Sequence, residues 1–402
     1  MTRTVSALVL GSLLLSVISP DLARAQVPSS AASAKRVPVT VENGLTIARA
    51  DETIELPWPA VLEHLKTASP ARIRVVDGAG KEVPSQIIDE DANGIPELLI
   101  FQASFRRKEK KQFYLEDSVP AAKPVSRVHV MHDEPRDDVA WESDRIAFRI
   151  YGEGLKKTPD AVSTSGIDVW VKKVRTPVLE KWYGKEHGSY HIDTGEGGDF
   201  FDVGQTLGAG GTALWRGNSL YRADNFKAYR ITADGPIRAS FEVTYDPWSA
   251  GDLTVSEVKK FSIDAGQNLF RQESVFTSNR PGEITYAIGL VKRPKLKKTD
   301  SKYESWGWLT GWGPLVFQGG RHGELGTAVL LPRGRITAWK ETPTHYLAIS
   351  HATSGQPVVH YIGAGWSQSG DFPTPQSWWG YLDQFSMRLG APVGVRIGAT
   401  LR

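Results

Sequence analysis

From residue 36 onward the chain is a succession of short runs rich in β-branched and aromatic residues, cut at nearly regular intervals by Gly, Pro, Asn and Asp. VPVTVENG, TIELPWPAV, ARIRVVDGAGKEVPSQII and ELLIFQASF come first. RIAFRIYG, GIDVWVKKV, FKAYRITADG, PIRASFEVTYD, TVSEVKKFSIDAG, LFRQESVFTS, ITYAIGLVK, GTAVLLP, HYLAISHA, QPVVHYIGAGW and VGVRIGATL follow. Alternation over runs this short is the mark of half-buried strands, and it leaves little room for helices. Val75 to Gly80 carries a hairpin signal. Short helices are expected only near Pro59–Lys66 and over Pro375–Leu389, so the fold class is all-β.

A segment rich in Pro, Ala and Ser, DSVPAAKPVSRV, divides the chain. Residues 36–118 read as a small N-terminal β-sandwich, 119–128 as a linker, and 129–402 as a large antiparallel sandwich of about fourteen strands, with VGVRIGATL as its closing strand. The first 25 residues have the form of an export signal: Arg3, an apolar run from Val5 to Ile18, then Ala23-Arg24-Ala25. Cleavage there leaves residues 26–35 as an unstructured mature N terminus. The expected location is periplasmic or extracellular. No later stretch is long and apolar enough for a membrane helix.

Composition narrows the partners. Loss of Arg3, Arg24 and Asp21 with the signal turns a net charge of +3 into +2, too small an excess for nucleic acid. The runs RRKEKK and KRPKLKK lie beside turn residues and read as solvated loops. With no cysteine, thiol catalysis, thiolate metal sites and disulfides are excluded, and stability must come from core burial. Of 13 tryptophans only Trp58 precedes Trp141. Tryptophan faces pack well on pyranose rings, although most of these residues are expected in the core.

The chemistry concentrates in HGSYHIDTGEGGDFFDVGQTLGAGGTALWRGNSLYRADNF, residues 187–226, whose glycines suit a functional loop. His187, Tyr190 and His191 precede Asp193, Glu196, Asp199 and Asp202. Strand alternation would point Tyr190 and His191 to opposite sides. A carboxylate beside His191 would fix its tautomer as a base. The acids fall at every third position, which is no established calcium spacing. No cofactor is therefore expected, Ca²⁺ being the one metal the acids would suit.

A second set is cationic: Lys181, Lys185, Arg216, Arg222 and Arg230, suited to a carboxylate ligand. A third lies towards the C terminus, with Trp306, Trp308, Trp312, His345, His351, His360, Tyr361 and Trp366. His360 and Tyr361 alternate, so one should face a cleft and the other the core. No G-x-S-x-G elbow, P-loop or H-E-x-x-H occurs.

The blocks DDVAWESDRIAFRIYG, SGIDVWVKK, YHIDTGEGGDFFDVGQTLGAGGTALW, GPIRASFEVTY and YIGAGWSQSGDF resemble an uncharacterised bacterial family, domain of unknown function 4861, over essentially the whole mature chain. The resemblance implies a galactose-mutarotase-like supersandwich for the larger part. It also implies a secreted or periplasmic protein whose relatives are often encoded near pectin- and uronate-degrading enzymes. It transfers no catalytic residues.

The expected function is therefore a lyase acting on uronate-containing, pectin-like oligo- or polysaccharides. Elimination needs a cation on the uronate, a base and a proton donor. Arg216 or Arg222 would supply the first, His191 the second, Tyr190 or Tyr221 the third, with Glu196 and His360 also in the catalytic set. His187, Asp193, Asp199, Trp215, Arg222, Asn225, Tyr361 and Trp366 are the expected substrate-binding residues. The alternatives are a glycoside hydrolase using two of Asp193, Glu196, Asp199 and Asp202, and a non-catalytic glycan-binding protein.

Overall fold

A computed structural model describes residues 36–157, 163–186, 188–301 and 305–400. The expected export signal at 1–25, the stretch 26–35 and His187 lie outside the described residues.

Alternation builds the N-terminal sandwich. In strand Arg36–Glu42, Val37, Val39 and Val41 are buried and the residues between them are not. This strand sits in a five-stranded sheet that also holds Lys110–Glu116, Arg74–Asp77 and Glu82–Val83. The facing sheet has three strands: Arg49–Pro57, Leu98–Phe105 and Ser85–Ile88. Ile54, Leu56, Phe101, Phe113 and Leu115 fill the space between them. The hairpin turn is closed by the Asp77 carboxylate, which accepts from the N–H groups of Ala79 and Lys81, both at 2.9 Å. The expected short helix spans Trp58–His64.

The fifth strand of the first sheet is a correction. Gly394–Ile397 does not close the large sandwich; it pairs antiparallel with Arg36–Glu42, setting Val39 opposite Ile397. Val393, Val395 and Ile397 pack on the N-terminal core, which offers that apolar edge at the point where the last helix delivers the chain.

The larger part has three antiparallel sheets. The widest has eight strands in the order Ala228–Asp234, Arg238–Ala250, Leu253–Asp264, Leu269–Ser278, Pro357–Trp366, Gly320–Pro332, Trp306–Phe317, Lys297–Asp300. The first flanking sheet runs Gly197–Asp199, Asp168–Lys172, Ile146–Tyr151, Asp138–Ser143, Val128–Asp133. The second runs Ser219–Arg222, Ala209–Arg216, Glu283–Val291, His345–Thr353, Ala338–Glu341. One core joins all three. Its hub is Trp141 of the first flanking sheet, whose ring centroid lies 5.0 Å from Phe241, 5.2 Å from Phe261 and 5.1 Å from Phe270 of the eight-stranded sheet. Where the second flanking sheet crosses, Gly210 has φ +146°, and a Cβ there would lie 2.7 Å from Ile362. That close approach requires glycine. The architecture is all-β, a small sandwich joined to a large antiparallel supersandwich.

The second expected helix spans Pro375–Gly390, opened by Thr374 and Ser377 in a capping box. Trp378, Leu382 and Phe385 pack on Trp308, Trp312 and Leu330, covering part of the outer face of the eight-stranded sheet. The N-terminal sandwich docks beside this helix. The Gln86 side chain accepts from the N–H groups of Ile237 and Arg238 at 2.9 and 2.8 Å, and Arg127 bridges Asp51 and Asp144.

Candidate functional site

The first flanking sheet carries two patterns at once. Val139, Trp141, Phe148, Ile150, Val169 and Val171 point into the core. The residues between them, Asp138, Arg149, Tyr151, Asp168, Trp170 and Asp199, therefore share the outer face. The register sets Arg149 opposite Asp168, Tyr151 opposite Asp138 and Trp170 opposite Asp199.

These groups meet at one guanidinium. Arg149 Nη2 lies 2.7 Å from Asp168 and 3.0 Å from Asp199, and Nη1 lies 3.6 Å from Asp138. All three acids are buried. Three carboxylates around one cation cannot all ionise cheaply away from water. Burial pushes the Asp138 carboxyl up to about 7. Burial, then the charge of Asp168, holds Asp199 well above the usual carboxylate range. The site thus contains an acid that keeps a proton near neutrality. Asp138 Oδ1 has no hydrogen-bond partner among the described residues.

The roof over this face is anchored from below. Glu142, on the same outer face, accepts from the N–H groups of Val178 and Leu179 at 2.7 and 2.9 Å, where the short helix Leu179–Tyr183 begins. Its other oxygen is bonded to the Lys172 ammonium, which also donates to the Ser143 carbonyl at 2.7 Å. The roof lays two tyrosines on Trp170, with ring centroids at 5.1 Å for Tyr183 and 4.7 Å for Tyr190. Burial raises the Tyr190 hydroxyl above its ordinary value, against the pull of Arg149. The Arg136 guanidinium stands 5.7 Å from the Tyr190 ring and is bonded to Asp133 at 3.0 Å.

Tyr190 and His191 do not lie in a strand. Ser189–His191 is a single 3₁₀ turn entered through Gly188 at φ +83°. The turn brings the two rings into contact, edge to face at 4.7 Å; the strand alternation expected here is corrected accordingly. His191 Nδ1 lies 2.8 Å from the Asp199 carbonyl oxygen and 3.7 Å from its carboxylate. A carbonyl only accepts, so Nδ1 carries a proton, and in the neutral ring the lone pair is on Nε2. The other side of the ring stacks on Phe317 at 4.7 Å. His322 follows along this rim, stacked on Phe200 at 3.7 Å.

Residues 41–395 match the family model described as Domain of unknown function (DUF4861). The chain belongs to that family. A DUF4861 relative, "Uncharacterized protein P7" of Formosa agariphila, is 34% identical over 378 residues, covering 89% of this chain and 93% of its own length. Among solved structures, a protein in glycosyl hydrolase family 38 from Enterococcus faecalis aligns with TM-score 0.49 and 11% identity. An α-mannosidase from Enterococcus faecalis V583 aligns with 0.43 and 12%. Each is covered over 90% of this chain, which spans about half of their length, 47% and 46%.

In this DUF4861 protein Tyr190, His191 and Asp199 come together as described. Asp193 and Glu196 stand on the rim, each neutralised. Asp193 pairs with Lys173 at 2.6 Å and Glu196 with Lys181 at 2.7 Å. The Lys181 bond holds the Glu196 carboxyl below its ordinary value, which unsuits it to donate a proton. Trp366 was expected to face a sugar; it is buried, and its indole donates to the His322 carbonyl at 2.6 Å.

The other expected residues lie elsewhere. Trp215, Arg216 and Tyr221 belong to a hairpin of the second flanking sheet. There Arg216 donates to the Ala250 carbonyl at 2.7 Å and pairs with Asp252. Tyr221 is exposed, and Trp215 packs partly buried against Ala287 and Leu347. Arg222 is bonded to the Ser163 carbonyl and Gln205 at 3.0 and 2.7 Å. Asn225 fastens the backbone of Gly152 and Thr164. His360 lies inside the core and Tyr361 on the outer face of the eight-stranded sheet. None of these joins His191, and the roles given to Arg216, Tyr221 and His360 are corrected on that ground: each is held by its own sheet. Among the described residues, the acids that converge as metal ligands would are Asp89, Asp91 and Glu97, within 4.8 Å of one another on an exposed loop, rather than those of 193–202.

The groups missed in the sequence are Asp138, Arg149 and Asp168. Their signal was present in DDVAWESDRIAFRIYG and SGIDVWVKK: charged residues at outward positions of strands bounded by Trp and Val, where an ordinary sheet face carries neutral polar groups.

Proposed function

We propose that this DUF4861 protein is an exported carbohydrate-active enzyme whose acid–base centre is the Tyr190–His191 turn. The specific reaction proposed is β-elimination on a uronate-containing glycan. The observation that carries it is the His191 ring, oriented by the Asp199 carbonyl at 2.8 Å and set 4.7 Å from the Tyr190 ring. Perturbed titratable groups gathered beneath one such pair are characteristic of active sites.

In the proposed step His191 Nε2 takes the C5 proton. The electron pair becomes the C4–C5 double bond, the C4–O bond breaks, and Tyr190 gives its proton to the leaving oxygen. A hydroxyl raised above its ordinary value keeps its proton until that moment. The uronate must be neutralised. Arg149 is already surrounded by three acids, so Arg136 beside Tyr190 takes the role in place of Arg216. The substrate class rests on the family resemblance, the chemistry on the geometry.

Hydrolysis is the second reading, favoured by Asp138, whose carboxyl near 7 suits a general acid. Incubating the mature protein with pectins, rhamnogalacturonan, alginate and glucuronate-capped oligosaccharides separates the two. An ultraviolet-absorbing unsaturated product supports elimination. New reducing ends without it support hydrolysis. An intact, bound oligosaccharide supports a binding protein.

A further inference from the structure

A cleft of 490 Å³ opens on the outer face of the eight-stranded sheet, walled by the N-terminal sandwich on one side and helix Pro375–Gly390 on the other. It lies on the face of this sheet turned away from the first flanking sheet, whose own outer face carries Trp170 and Tyr190. Cross-strand register arranges the floor in rows. Ser240, Ser262, Arg271 and Tyr361 form one row. Glu242, Lys260 and Glu273 form the next, and Arg238 lies opposite Asp264.

Six acids and four cations line the cleft, and its three arginines are all paired. Arg238 is bidentate to Asp264 at 2.6 and 2.8 Å and reaches Glu55 of the N-terminal sandwich at 2.7 Å. Arg271 pairs with Glu273 at 2.7 Å, and Arg388 of the helix with Glu52 at 2.7 Å. Lys260 stands between two glutamates in its row. An ion binding at one of these pairs would displace a partner and leave a half-buried charge alone, which is costly. A polyol displaces none. Carboxylates held by one arginine retain lone pairs for hydroxyl donors, and guanidinium groups retain N–H donors for hydroxyl oxygens. Ser240 and Ser262 are short enough to leave the centre of the floor open, and the Phe385 and Tyr361 rings, 5.2 Å apart, add apolar surface. The volume falls within the roughly 300–1,000 Å³ of small-ligand sites.

We infer that this cleft is a binding site for an uncharged oligosaccharide of a few sugar rings, distinct from the acid–base centre. The N-terminal sandwich is then part of a sugar site as well as a brace for the larger sheets.

Calorimetric titration of the mature protein with neutral cello-, xylo-, manno- and malto-oligosaccharides, and with oligogalacturonate as the charged control, tests it. At least one neutral oligosaccharide binds. Ser262→Trp and, independently, Ser240→Trp fill the floor and weaken that binding by about tenfold or more. His191→Ala leaves it unchanged, and Ser262→Trp retains the elimination activity. Circular dichroism confirms that each variant is folded. The inference is overturned if no neutral oligosaccharide binds, if both tryptophan variants bind like the parent, or if oligogalacturonate binds and is the ligand those variants lose. Because binding here and elimination at His191 are read separately, either proposal can fail without the other.

Discussion

Lys172 and Glu142 form an ion pair closed off from water on both sides, and the same glutamate holds the first two N–H groups of the helix that roofs the candidate site. The pair thus couples a buried charge to the position of Tyr183 and Tyr190. Removing one partner leaves the other charge buried and alone, at a cost of about 3–5 kcal/mol. Lys172→Met and Glu142→Gln should each destabilise the protein by that order. The double variant should lose less than the sum of the two. Denaturant titrations of all three measure the coupling directly.

Asp138 gives the protein a distinctive pH response. Its carboxyl is at about 7 in the fold against 3.8 as the ordinary value, so the folded state holds a proton that the unfolded state has released. Stability from this group is full below pH 4 and falls as pH rises to 7. About three pK units correspond to roughly 4 kcal/mol. Asp138→Asn removes the response: relative to the parent it should gain stability progressively between pH 4 and 8. Parallel stability curves for the two proteins would refute this assignment.

His360 acts in the opposite direction. It is buried in the core opposite Gln272, neither ring nitrogen has a partner among the described residues, and burial pushes it down to about 3. The unfolded chain takes up a proton near 6.5 and the fold does not. The stability this neutral ring contributes is complete above pH 6.5 and is lost as pH falls towards 3. His360→Leu should flatten the acid limb of unfolding followed by fluorescence between pH 6 and 4.

The two arginines nominated to neutralise a uronate can be separated kinetically. Arg136→Gln should lower kcat on the eliminated substrate by roughly 10²–10³, the usual effect of losing an electrostatic stabiliser. Arg216→Gln breaks only the contacts to Ala250 and Asp252, so kcat/KM should stay within about twofold. The reverse order would return the role to Arg216.

The fold was legible in the sequence because its strands are short and alternate cleanly. Val37, Val39 and Val41 announce a buried face, and Pro375–Leu389 reads as a helix. The pairing of Gly394–Ile397 with Arg36–Glu42 was not legible, since a contact across the whole chain leaves no local pattern. The stretch proposed to carry the chemistry was chosen for its Tyr, His, Asp and Gly content, which does not fix its geometry. A 3₁₀ turn sets neighbours about 120° apart, so that their rings can touch, where a strand would oppose them, and only the fold brings Arg149 and Asp138 beneath Tyr190. Arg216 and Tyr221 looked close to His191 in sequence, yet the chain crosses to another sheet between them.

The most direct test is the ultraviolet absorbance of unsaturated uronate formed from the glycan panel by the parent protein and by His191→Ala. The account predicts that absorbance rises on at least one uronate-containing substrate with the parent and falls by two orders of magnitude or more, about 10²-fold at least, with the variant. A rise of equal rate with both proteins, or no unsaturated product from any substrate, would contradict it.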